Sequence, residues 1–141
     1  MIRHAPCIGL INMNDIVGRN GMLNGALFAI IEEAATAVMI LTEEVTQEEL
    51  LASRLTRGEV VRQLLTIADT LAMVPAETRS QMPELEWDGW NTTAHVLNIT
   101  NPKTGELEDT LWFAARSLAP ATVMWLRVYR QNQPELFTFQ A

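Results

Sequence analysis

The chain has 141 residues and a mass of 15.8 kDa, the size of one domain with a single core. Hydrophobic residues make up 48% and charged residues 19%, which excludes a disordered polymer. Lys and Arg number 10 against 17 Asp and Glu, a net charge of −7 that disfavours a stand-alone nucleic-acid binder, because such affinity rests on cations at phosphates.

The mean hydropathy of +0.07 is high for a small soluble monomer and predicts an oligomer. Cys7 is the single cysteine, so no internal disulfide forms. With only His4 and His95 beside it, a closed zinc site lacks its four ligands. The longest apolar stretch, Gly25 to Leu41, is interrupted by Glu32 and Glu33 and reads as short of a membrane span. Arg3 is followed by Asn12, Asn14 and Asp15 with no cleavage pattern, so the expected location is cytoplasmic, with no membrane partner. Asn91-Thr92-Thr93 and Asn98-Ile99-Thr100 match the glycosylation sequon, which in such a chain reads as chance.

Residues 1–21 lack clean periodicity and carry Pro6, Gly9 and Gly18; they read as an N-terminal arm. From about Met22 a helix is expected, with Leu23, Leu27, Ile30, Ala34, Val38 and Leu41 on one stripe and Phe28, Ala35 and Met39 on another. A helix apolar on two faces is buried on two sides, centrally or between subunits. Thr46, with Glu48 and Glu49 after it, predicts a capped short helix to about Arg54.

Thr56 is the expected cap of the next helix, where Val60, Leu64, Ile67, Leu71 and Val74 form the cleanest stripe in the chain. Pro75 ends it, and a short piece around Glu77–Gln81 runs into Pro83. Trp87, Trp90, Ala94 and Leu97 keep a helical step through weak formers, Gly89 and Thr92-Thr93. Pro102 and Gly105 mark a turn. The last helix takes Leu107, Leu111, Ala114 or Ala115, and Leu118, continues through Thr122, Trp125 and Tyr129, and is expected to kink at Pro120. The long helices are placed near 22–44, 58–74 and 106–131, within a domain of residues 22–132 followed by a tail of residues 133–141. The fold class is all-α, an antiparallel four- or five-helix bundle.

His95 is the only histidine in the periodic region, and its ordinary pKa suits proton transfer near neutrality. Asn91 stands four residues earlier, on the same helical face. A lone histidine specifies no reaction, so the pattern alone favours a histidine hydrogen-bonded to its neighbour over a catalytic one. The acidic pairs Glu32-Glu33, Glu43-Glu44 and Glu48-Glu49, with Asp69, Glu106 and Asp109, raise a magnesium-dependent nucleotide hydrolase as a further reading. Most of those acids fall in caps and loops, where solvated acids are ordinary. The tryptophans and methionines at helical spacing read as core and interface.

Three runs carry a family likeness: Glu48-Glu49-Leu50-Leu51-Ala52-Ser53-Arg54-Leu55-Thr56, Val60-Val61-Arg62-Gln63-Leu64-Leu65-Thr66-Ile67, and Pro83-Glu84-Leu85-Glu86-Trp87. With Leu111-Trp112 and Pro120 behind them, they resemble the HepT branch of the HEPN superfamily over residues 22–131. The resemblance implies a helical bundle that dimerises. It implies a dimer cleft that, in active members, cuts RNA without metal or cofactor, and a small nucleotidyltransferase antitoxin as partner. The family motif is an arginine, usually then asparagine, a histidine five residues after the arginine and a tyrosine two further on. His95 and Asn91 match the histidine and asparagine, whereas Trp90 stands for the arginine and Leu97 for the tyrosine. Metal-free cleavage needs a fixed cation for the phosphorane, and losing one such stabiliser costs about 10²–10³-fold. Tryptophan carries no charge. Arg62, or Lys103, is the candidate substitute. The expected protein is therefore a degenerate, non-catalytic module that binds a partner protein, a nucleotide or RNA, with Asn91 and Trp90 lining the cleft. The alternative is a ribonuclease using His95 as base and Arg62 as cation.

Overall fold

The computed structural model describes residues 13–99 and 105–137, with side chains from residue 23 onward. Every regular element among them is helical. In chain order these are α1 (Met13–Leu41), α2 (Gln47–Ala52), α3 (Arg54–Ala72), α4 (Ala76–Ser80), α5 (Trp87–Leu97), α6 (Glu106–Phe113), a π-helical turn (Ala114–Leu118) and α7 (Ala119–Asn132). A 3₁₀ turn, Pro134–Leu136, closes the described chain. Most of the expected arm, residues 1–12, lies outside the described residues, but helix α1 starts at Met13, ahead of the expected Met22.

The local chemistry explains the boundaries. Thr46 accepts from the Glu49 N–H while the Glu49 carboxylate accepts from the Thr46 N–H, a capping box that starts α2. Ser53 both ends α2 and caps α3, its Oγ accepting from the Thr56 N–H at 3.3 Å. Thr56, the cap expected from sequence, therefore lies inside the first turn of α3. Gly105 opens α6 with φ of 82°, a left-handed conformation that only glycine adopts cheaply.

Pro120 produces a specific distortion rather than a simple kink. It has no N–H, and its ring would crowd the carbonyl four residues back. The helix widens just ahead of it, and the Ala119 N–H reaches the Ala114 carbonyl in a five-residue step. Ala114, Ala115 and Leu118 in this turn are buried, packed where α1, α3, α5 and α7 meet.

The packing follows α7, α1, α3, α5 and α6 as neighbours around one core. Helix α1 contributes Leu27, Phe28, Ile31, Ala34, Ala35 and Val38, and α3 contributes Val60, Leu64, Ile67 and Leu71. The expected stripe of α3 is thus its buried face. That of α1 is mixed: Ile31 is core, while Leu23, Ile30 and Met39 are exposed. The 3₁₀ turn docks on α1, with Leu136 buried and the Phe137 and Phe28 ring centroids 4.8 Å apart. Gly25 permits this approach, because a Cβ there would stand 2.2 Å from the Phe137 carbonyl oxygen.

Candidate functional site

Helix α5 carries the motif positions, and its two faces do different things. Inward, Trp90, Thr93 and Val96 are buried. Trp90 is 1% exposed, and its indole N–H donates to Thr122 Oγ1 on α7 at 2.9 Å. Thr93 satisfies its hydroxyl on the Gly89 carbonyl of its own helix. Outward, Asp88, Asn91, Thr92 and His95 follow one another at helical spacing and all are exposed.

The sequence-derived site residues therefore separate. Asn91 and His95 share a shallow hollow of about 530 Å³ with Thr92, Ala94 and Asn98. Neither side chain hydrogen-bonds to another described residue. Trp90 points inward, but its edge and Asn91 both border a second hollow, between α3 and α5. Arg62 lies on the exposed side of α3, its side chain 68% exposed and paired with Glu59 at 2.6 Å. A second bond, from Arg62 Nε to the same carboxylate, makes the pair bidentate. The bonds with Arg62, and then one from Gln63, hold the Glu59 carboxyl below its ordinary pKa, and Glu59 in turn raises that of Arg62. Arg62 does not line the hollow of His95. Lys103 lies outside the described residues.

The geometry also bears on the carboxylate reading. Among the described residues, no three acidic, histidine or cysteine side chains group as a metal site. Glu32 instead receives Arg130 at 2.6 Å and Arg127 at 3.7 Å, which ties α1 to α7.

One feature escaped the sequence patterns: Arg79, whose guanidinium lies 5.1 Å over the ring of Trp87 and borders the hollow on the α3 side of α5. A short helix between two prolines gave no periodic signal for it. The periodicity gave α1 two apolar faces without saying which residues make the outer one. Leu23, Ile30 and Ile40 are 49%, 45% and 65% exposed, with Ala26, Glu33 and Ala37 completing a run at alternating three- and four-residue steps. Leu23–Leu41 is, by length and composition alone, apolar enough to cross a membrane; its inner face is core of this fold.

The chain matches no protein-family model, no curated protein and no solved structure.

Proposed function

We propose that the chain is a non-catalytic, homodimeric binding module of the HEPN kind, close to the HepT branch, acting in the cytoplasm in a toxin–antitoxin-type setting. Its partner is a nucleotidyltransferase-like protein, and the outward face of α5 is the surface that meets the partner, a nucleotide or RNA. The observation that carries this reading is Trp90. It occupies the position of the motif arginine, is built into the core, and leaves Asn91 and His95 in a shared hollow that no cation among the described residues lines. A general base with no partner charge for the phosphorane is a poor ribonuclease site.

The dimer reading rests on α1. Its exposed run has the average 3.5-residue spacing of a helix–helix seam, about 26 Å long from Leu23 to Ile40 at 1.5 Å per residue. Ala26 and Ala37, on either side of Ile30 and Glu33, permit close approach of a second α1. A two-fold pairing presents the same patch on both copies.

The ribonuclease reading keeps one supporting observation, the common hollow of Asn91 and His95. Expression of the chain alone in a bacterial host separates the two. Unimpaired growth, identical for wild type and His95→Ala, is the expected result. Growth arrest by wild type that His95→Ala relieves would transfer the assignment to the ribonuclease.

A further inference from the structure

The hollow on the α3 side of α5 has an unusual chemical balance. Ala68, Leu71 and Ala72 give it an apolar floor, and Arg79, Asp88 and Asn91 supply its polar groups. Arg79 donates once, from Nη2 to the Val74 carbonyl at 3.3 Å. Its Nε–H is buried with no acceptor among the described residues. Native folds keep such open buried donors to a few positions, often functional ones. Asp88 has no ion-pair partner and Asn91 no hydrogen-bond partner among the described residues, so the amide is free to donate and accept. The Arg79 Nη donors beyond that bond, the Asp88 carboxylate and the Asn91 amide thus stand around an apolar floor with bonding capacity to spare.

We infer that this hollow binds a free α-amino acid with an apolar side chain. The ligand carboxylate takes the guanidinium of Arg79 and the amide of Asn91. The ammonium takes Asp88, and the side chain lies over Leu71 and the two alanines. The hollow is about 210 Å³, less than half the roughly 530 Å³ of the His95 hollow, which favours a compact ligand such as one amino acid. Charge favours the same choice. A zwitterion compensates both Arg79 and Asp88, whereas a phosphate ester brings more negative charge to a chain of net −7 beside an exposed carboxylate. The site shares Asn91 with the His95 hollow but uses neither His95 nor the outer face of α1.

Titration calorimetry on the full chain tests it with leucine, methionine, 4-methylpentanoic acid and isoamylamine, the last two being leucine without its ammonium and without its carboxylate. Leucine or methionine binding, with the single-charge analogues at least about tenfold weaker, is the expected result. Arg79→Gln and Asp88→Asn each weaken the amino acid by at least about tenfold. Because Arg79 also stacks on Trp87, Asp88→Asn is the cleaner variant, with circular dichroism as the fold control. Proton NMR of the arginine Nε–H signals adds a site-specific readout, in which the Arg79 signal shifts on binding. No heat with any apolar amino acid at millimolar concentration overturns the proposal. So does binding that ignores both variants, or guanosine monophosphate binding in place of the amino acids.

Discussion

Single residues decide whether α5 is catalytic or structural, and Trp90 is the clearest of them. Its ring fills the core and its N–H is spent on Thr122. Trp90→Phe keeps most of the apolar volume but strands Thr122 Oγ1, so a loss of about 1–2 kcal/mol by urea denaturation is expected. Trp90→Arg, which restores the family motif on paper, places a cation in that core. The expected outcome is a loss of at least about 3 kcal/mol, read from the same urea curves, and no gain of RNA cleavage. Asn91→Ala and His95→Ala touch only exposed groups and should stay within about 0.5 kcal/mol of wild type in that assay. The helical step of Trp87, Trp90, Ala94 and Leu97 was legible in the sequence. Its inward centre was not, because Thr93 is as buried as its apolar neighbours. A threonine that bonds its own helix looks polar to a hydrophobic pattern and behaves as core. Arg62 was legible as a cation but not as one already held by Glu59, three residues away on the same helix.

At the scale of elements, α3 was readable because one face is buried and the other solvated, the condition under which periodicity reports burial. Helix α1 was harder to read. Apolar residues surround it, so its pattern could not say which of them face the core and which face outward. Its contact with the C-terminal turn gives a sharp test. Alanine at position 25 should stabilise an ordinary helix interior by about 0.5–1 kcal/mol. Here its Cβ meets the Phe137 carbonyl at 2.2 Å, so Gly25→Ala should destabilise by about 1–3 kcal/mol instead. Limited proteolysis should then cut sooner at the C-terminal end. The turn ahead of Pro120 was legible as a disturbance but not in its form. The π-turn depends on the widened backbone, and Arg116 there donates to the Thr42 carbonyl at the end of α1, at 2.9 Å. Arg116→Ala should cost about 1–2 kcal/mol, measured by thermal or urea unfolding, through that bond and the guanidinium's place 5.4 Å over the Trp112 ring.

The whole molecule presents two outward surfaces with opposite character: the apolar seam of α1 and the polar face of α5. The first predicts the assembly. Light scattering at micromolar concentration should give twice the chain mass. Ile30→Glu should give the monomer with its helical content intact, since Ile30 is already 45% exposed in the single chain. A wild-type monomer would remove the dimer from the account. The second surface holds the central claim, that this histidine-bearing face binds without cutting. The most direct test incubates purified wild type and His95→Ala with single-stranded RNA in the presence of EDTA. The account predicts intact RNA with both proteins. Cleavage by wild type that disappears in His95→Ala would contradict it.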